Sequence, residues 1–225
     1  MALVTKITMN KFETAREKGK QQTLNFYRKK WSHKTKQFNK EIELPGYFMP
    51  MIGDKKEVNI AELGAGIFCT IGNKLPGVKV NMYASDALAD DFTKILDEKG
   101  VKRLIPVEKQ DMAHLTYPDN FFDVVHCVNA LDHVMDPLDC LHEMFRVCKP
   151  GGFIYLRHNQ NVGVKERYVG LHQWNIQYFN SEWFRIWNPK TERLFPDFKS
   201  SLGKAWDYEP DDLIISIYHK PEDAK

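Results

Sequence analysis

From Val58 to Asn159 short apolar runs alternate with stretches of helical pattern, and this alternation restricts the fold more than any other property of the chain. The apolar runs are "VNIAEL" (58–63), "VKVNMYAS" (78–85), "RLIPVEK" (103–109), "FDVVHCVN" (122–129) and "FIYLRHN" (153–159). Between them lie helical patterns over "IFCTIGNKL" (67–75), "LADDFTKILDEK" (88–99), closed by Gly100, and "PLDCLHEMFRVC" (137–148). Strands separated by helices pair in parallel through crossovers, which predicts a doubly wound α/β sheet. The helix over 137–148 is the best punctuated: Asp136 can cap it, Pro137 suits its first turn, and Pro150-Gly151-Gly152 ends it. Beyond Asn159, "QWNIQYF" and "WFRIWN" flank "NSE" as a hairpin would, and "DDLIISIYHK" (211–220) reads as a terminal strand. An antiparallel strand or hairpin added to a parallel sheet is the simplest assembly.

Residues 1–56 have a different character. Phe12, Leu24, Phe26, Tyr27, Trp31 and Phe38 stand among Lys, Arg, Gln and Glu at spacings that one or two amphipathic helices could gather onto a face. Pro45, Gly46 and Pro50 then break the pattern. We therefore divide the chain into a helical cap (1–56) and a main domain (57–225) with an insertion around 159–190 that is expected to shape a ligand pocket. The basic stretch "RKKWSHKTK" (28–36) reads as a solvated helix face, and a balance of 32 basic against 30 acidic residues does not call for a nucleic acid partner. Cys69, Cys127, Cys140 and Cys148 form no C-x-x-C pair and stand among apolar neighbours, as reduced core thiols do. No apolar run reaches the ~20 residues that span a bilayer, and no signal peptide begins the chain. A cytoplasmic protein without a membrane partner is expected.

Ligands of open α/β sheets bind beyond the carboxyl ends of the strands. After the first strand, Gly64 and Gly66 would let backbone approach a ligand, and Asp86, ending the second, could accept from both hydroxyls of a ribose. A pyrophosphate suits this turn poorly, because Cys69 stands where a third glycine would allow tight helix packing and Glu62 adds negative charge. An ammonium suits Glu62 better. Asp111 and Met112, after the third strand, could take an adenine amino group and cover its ring. Together these residues describe a site for an adenosine carrying an amino acid.

The stretches "AELGAG" (61–66), "YASDALAD" (83–90), "KQDMAHLTYPDNFFDVVHCVNALDHVMDP" (109–137) and "LHEMFRVCKPGGFIYL" (141–156) resemble the class I S-adenosylmethionine-dependent methyltransferases in order and spacing. The resemblance implies a Rossmann-like, seven-stranded, mostly parallel sheet with an antiparallel strand near the C-terminus, and S-adenosylmethionine as cofactor. It implies that Glu62, Gly64, Ala65 and Gly66 surround the methionine part, that Asp86 holds the ribose, and that Ala87, Leu88, Asp111 and Met112 lie against the adenine. Asn129 would lie under the cofactor. Phe68 departs from the pattern, since many members have glycine there; its ring could narrow the methionine end or pack inward.

Methyl transfer to a hydroxyl needs a positioned acceptor and a place for its proton. His133, His158 and His172 are the candidate bases, with His172 first because it lies in the aromatic and polar cluster "YVGLHQWN" (168–175). Asp132, His133 and Asp136 could suggest a metal, but Asp136 is needed as a helix cap and further ligands would have to come from distant segments, so no metal is expected. The segment from Arg157 to Asn175 also resembles stretches of bacterial methyltransferases that modify glycans. That implies a sugar, phosphorylated or nucleotide-linked, over Tyr168 and Trp174, with Asn159 and Gln173 as hydrogen-bonding partners and Arg157 near phosphate. Alternatives are N-methylation of a small amine and a binding module without turnover. The N-terminal helices could close over the cofactor, pair two chains into a homodimer, or both.

Overall fold

The computed structural model describes residues 2–29, 40–180, 183–194 and 213–224. Of the basic stretch 28–36, all but its first two residues lies outside them, as do Trp31 and Phe38. The main sheet consists of β1 (Glu57–Leu63), β2 (Lys79–Asp86), β3 (Val107–Lys109), β4 (Phe122–Val128), β5 (Cys148–Asn159) and β9 (Leu213–His219), in the order β3-β2-β1-β4-β5-β9. All neighbours pair in parallel except β9, which runs antiparallel to β5 with Asn159 opposite Leu213. The order reverses beside β1, so the carboxyl ends of β1, β2 and β4 open onto one crevice. The sheet is the mostly parallel α/β type with an antiparallel edge strand, with six strands rather than seven among the described residues. The hairpin does not join it: β9 occupies the free edge of β5, and β6 (Asn175–Asn180), β7 (Trp183–Asn188) and β8 (Thr191–Leu194) pair among themselves as a separate three-stranded sheet.

Side chains alternate across β4, and each face has its own core. On one face Val125 and Cys127 pack with Leu63, Leu156 and the α4 (Pro137–Val147) residues Leu141 and Met144. Asp136 caps that helix by accepting from the Leu138 N–H at 2.9 Å. On the other face Val58, Ile60 and Val124 meet Phe48, Met51 and Ile52, all three within 2% exposure. These come from the segment before β1, a 3-10 turn (Gly46–Phe48) continued by the short α2 (Met49–Ile52). His126 is clamped there, its ring stacked on Tyr155 and its Nε2 paired with the Tyr47 hydroxyl at 3.0 Å.

The helix expected over 67–75 does not form, because the place it would fill on this face is taken by Phe48, Met51 and Ile52. The chain instead crosses from β1 to β2 as an irregular loop stitched to the segment before α2. Asn73 and Lys74 both donate backbone N–H groups to the Ile42 carbonyl, at 2.8 and 3.1 Å, and Leu44 donates to Lys74. Arg103 holds the loop from outside, its Nε donating to the Ile67 carbonyl at 2.8 Å. That task keeps Arg103 out of β3, which covers three residues rather than the seven of 103–109.

The remaining helices agree with the sequence pattern to within a residue or two. α3 (Ala89–Glu98) buries Phe92, Ile95 and Leu96, and Gly100 follows it with φ +64°. A single helix, α1 (Ala2–Lys29), accounts for the described part of the N-terminal pattern. Its Leu24 packs with Phe68, Phe92, Ile95 and Leu96, and Tyr27 meets the Phe92 ring edge-on at 5.0 Å. No helix among the described residues is long and apolar enough to cross a membrane.

The loop in place of the crossover helix depends on Gly72. Its φ is +91°, and a Cβ there would lie 2.6 Å from the Glu43 carbonyl oxygen and 2.7 Å from that of Ile42. Gly72→Ala is expected to destabilise by roughly 2–3 kcal/mol and lower the melting temperature by roughly 4–10 °C. Thermal unfolding followed by circular dichroism measures this, and an unchanged melting temperature would refute the stitched loop.

Candidate functional site

The turn after β1 is built against the ends of two neighbouring strands. The N–H groups of Gly64 and Ala65 both donate to the Ser85 carbonyl, at 2.9 and 3.0 Å. Gly64 has φ +73°, and a Cβ there would come within 2.3 Å of the Ala130 Cβ, so only glycine lets the turn lie against the segment after β4. Asp86 locks the arrangement: Oδ2 accepts from the Gly66 N–H at 2.9 Å and Oδ1 from the Leu88 N–H at 2.8 Å. Burial raises the Asp86 carboxyl above its ordinary value despite those two donors and the nearby charges of His133 and Arg103.

Above this turn lies a cavity of about 580 Å³. Gly64, Gly66, Asp86, Ala87, Leu88, Asp111, Met112 and Asn129 line it, so the structure brings together most of the residues expected around the cofactor. Met112 is buried while Asp111 is exposed, its Oδ1 accepting from the Ala113 N–H at 3.0 Å. Asn129 takes φ +49°; its N–H donates to the Arg157 carbonyl and its Oδ1 accepts from Asn159, which fastens the end of β4 to β5. Phe68 packs inward among the side chains of α3 and α1.

Glu62 and Ala65 do not line the cavity. Glu62 is 5% exposed, and its carboxylate accepts from the Thr70 N–H at 3.1 Å and the Thr70 hydroxyl at 3.3 Å, holding the crossover loop instead. Burial pushes its carboxyl up to about 7, against those donors and Cys69. An acid so placed tends to stay neutral unless a cation approaches.

His133 also lines the cavity, on a 3-10 turn (Leu131–His133) that follows β4. Its Nε2 lies 3.1 Å from Nδ1 of His172, and that Nδ1 lies 2.6 Å from Oδ2 of Asp132. The Gln173 N–H donates to the Asp132 carbonyl at 3.0 Å, tying the distant loop to the turn. Burial alone would raise the Asp132 carboxyl, but the hydrogen bond from His172 and the charges of the histidines hold it below the usual range. The same bond raises His172, whereas burial lowers His133. His158 sits behind them, 2% exposed and pushed down to about 4 by burial, with no hydrogen-bond partner for either ring nitrogen among the described residues. Asp136 stays with its helix cap, apart from the cluster.

The residues expected to hold the acceptor are spread more widely. Trp174 is 5% exposed, with its Nε1 donating to the Val134 carbonyl at 3.1 Å. Gln173 bridges the carbonyls of Tyr168 and Gly170, and the Tyr168 hydroxyl accepts from Asn175, so these side chains hold the 163–175 loop in shape. Asn159 is exposed and Arg157 half-buried, and neither lines the cavity. α1, from the segment expected to cap the main domain, contributes Arg16, Glu17, Lys20, Thr23 and Tyr27 to the cavity wall. Amphipathic spacing signalled the helix but not which of its residues would face the cavity.

Residues 64–156 match the family described as "Methyltransferase domain". A ubiquinone/menaquinone biosynthesis C-methyltransferase of Coxiella burnetii is 31% identical over 107 residues, which are 48% of this chain and 34% of that protein. A sterol 24-C-methyltransferase of Aspergillus fumigatus is 26% identical over 109 residues, 47% of this chain and 29% of that protein. The chain thus spans about a third of the length of these relatives. Among solved structures, a SAM dependent methyltransferase from Aquifex aeolicus has 20% identity over 59% of this chain and 71% of that chain, with a TM-score of 0.38.

Glu62 supplies a pH test. An acid raised on folding from 4.5 to about 7 contributes stability that is present in full below about 4.5 and lost as pH rises to about 7. Glu62→Gln stays neutral, so between pH 4.5 and 8 its stability relative to the wild type should improve by up to about 3 kcal/mol. Urea unfolding of both proteins at the two pH values measures the difference; a constant difference would mean that the carboxyl titrates normally.

Proposed function

Because the chain carries a class I S-adenosylmethionine-dependent methyltransferase domain, we propose that it methylates an oxygen of a sugar, a phosphorylated sugar or another polar small molecule in the cytoplasm. The observation that carries this reading is one cavity lined by the Gly64–Gly66 turn, Asp86 and His133, the last in contact with His172 and through it with Asp132. The residues present fit the cofactor. The positive φ of Gly66 keeps the turn clear of side chain, the remaining lone pairs of Asp86 suit ribose hydroxyls, Asp111 suits an adenine amino group, and Met112 offers apolar cover. Glu62 serves the methionine end through the loop it holds. Bound there, the cofactor supplies a methyl group on a positively charged sulfur.

The protein's own work is to place the acceptor and take its proton. Asp132 holds His172 through Nδ1, which fixes the ring and leaves Nε2 as the proton acceptor, in the manner of a base oriented by a carboxylate. His133, on the cavity wall, positions the acceptor beside it. α1 lines the cavity and covers it from water, and its Arg16 suits an acceptor that carries phosphate. The loop built from Tyr168, Gln173 and Trp174 carries His172, so these residues act on the acceptor through that histidine's position.

Thermal shift should show stabilisation by S-adenosylmethionine and its demethylated product but not by NAD, and Asp86→Ala should weaken the shift at least tenfold in concentration. Turnover on a panel of sugars, sugar phosphates, nucleotide sugars, amines and activated carbon acceptors then separates the alternatives. Carbon acceptors belong in the panel because the relatives are named as C-methyltransferases, and amines because N-methylation is the alternative. His172→Ala should lose roughly 10²–10⁴ in kcat while keeping cofactor binding. Full turnover in that variant would remove the base, and stabilisation by NAD alone would remove the cofactor assignment.

A further inference from the structure

Asp132, His133 and His172 form a tighter figure than a base and its orienting carboxylate require. Three atoms converge: Asp132 Oδ2 and His172 Nδ1 are 2.6 Å apart, His172 Nδ1 and His133 Nε2 are 3.1 Å apart, and His133 Nε2 and Asp132 Oδ2 are 3.3 Å apart. Three donors at about 2.1 Å from an octahedral ion are separated by roughly 3 Å, so this triangle has the dimensions of one face of a coordination shell. Protons fill it badly. If both ring nitrogens donate to the single carboxylate oxygen, two N–H groups stand 3.1 Å apart with like polarity; if either gives up its proton, one edge of the triangle loses its bond to the carboxylate.

We propose that the cluster is a divalent metal site, with Asp132 Oδ2, His133 Nε2 and His172 Nδ1 as ligands and its remaining positions open to the cavity. The donor set selects the ion. Two imidazoles and one carboxylate favour first-row transition ions such as zinc, cobalt or iron over magnesium, which prefers oxygen. The ligands are also held before any ion arrives. The 3-10 turn presents Asp132 and His133 side by side with the His133 N–H donating to Ala130 at 3.0 Å, and the Gln173 N–H donates to the Asp132 carbonyl, which brings His172 across from a distant loop. Asp132 has 7% of its side chain exposed, whereas His133 and His172 have about a third, so the face of the triangle toward solvent and cavity is the histidine side. His158, buried and without a hydrogen-bond partner among the described residues, interacts electrostatically with both Asp132 and His133 but is not one of the three ligands.

The position of the site gives the ion a task that rests on the function proposed above. His133 and its neighbours Val134 and Met135 line the same cavity as Gly64 and Asp86. An acceptor with a hydroxyl, and better with two adjacent ones, would bind the ion through oxygen and release a proton to solvent. The oxygen would then face the glycine turn as an anion. The histidines act as ligands in that state, and the ion takes over the lowering of the hydroxyl's proton affinity.

The test uses the full chain, stripped with a chelator and titrated with Co²⁺ or Zn²⁺. One equivalent should bind per chain, Mg²⁺ should not compete, and X-ray absorption of the cobalt form should show two imidazole ligands with oxygen and no sulfur. Asp132→Asn and His172→Ala should weaken binding at least 10²-fold while retaining stabilisation by S-adenosylhomocysteine. Absence of a bound ion, a cobalt spectrum with sulfur or fewer than two imidazoles, or wild-type affinity in the variants would overturn the site. If cobalt binds as described but S-adenosylhomocysteine does not stabilise the protein, the methyltransfer reading falls and the metal site stands. Stabilisation without metal binding removes the metal site alone.

Discussion

The cavity exists because three strand ends are tied within contact of one another around Gly64. Its N–H reaches the end of β2 through the Ser85 carbonyl, and its missing side chain admits the Ala130 methyl from the segment after β4. Asp86 completes the knot by accepting from Gly66 on one side and Leu88 on the other. The hydrogen bonds among these contacts use backbone groups that a parallel sheet leaves unpaired where its strands end. Satisfying them with one another, rather than with a covering helix, keeps the crevice open at the reversal of strand order. The position of the 3-10 turn follows from the same knot, since Ala130 immediately precedes Leu131–His133. The glycine turn and the 3-10 turn that carries His133 are therefore tied to the same strand ends.

The connection between β1 and β2 shows how a buried carboxylate can do structural work in a binding motif. A helix there would satisfy its own backbone. The irregular loop cannot, and recruits Glu62 for Thr70, Ile42 for Asn73 and Lys74, and Arg103 for Ile67. These partners come from three separate parts of the chain, so the loop depends on the sheet and on the segment before α2 being in place. The raised proton affinity of Glu62 is the cost of using it in a site almost closed to water.

What could be read from the sequence was what depends on neighbouring residues or on side-chain period. α4 was legible because Asp136, Pro137 and the glycines after it are local signals, and β1, β2, β4 and β5 because their apolar runs are bounded by turns. The glycine turn with Asp86 and Asp111 was legible because its members recur at strand ends. The helix expected over 67–75 was misread, because its local pattern is overridden by Phe48, Met51 and Ile52 arriving from earlier in the chain. Trp174 shows the same limit. An aromatic flanked by polar residues suggests an exposed platform, yet its ring is buried and its N–H satisfied by Val134, forty residues away in sequence. Asp132 could be noticed as a polar neighbour of His133, but its pairing with His172 exists only in three dimensions.

The same distinction between local and long-range contacts governs α1. Two ion pairs join it to α3, Lys20 with Asp91 at 2.9 Å and Arg28 with Glu98 at 3.8 Å, and both are partly exposed, so each contributes little. The apolar contacts of Leu24 and Tyr27 with Phe68 and Phe92 hold the helix more firmly, because they remove apolar area from water at about 25 cal/mol per Å². Gly19 sets where the helix ends up relative to the 163–175 loop: a Cβ there would stand 2.5 Å from the Gly170 carbonyl carbon, so the two backbones touch. Phe68 thus has a reason to be large: its ring joins Phe92, Ile95 and Leu96 in the apolar cluster that receives Leu24 of the helix lining the cavity.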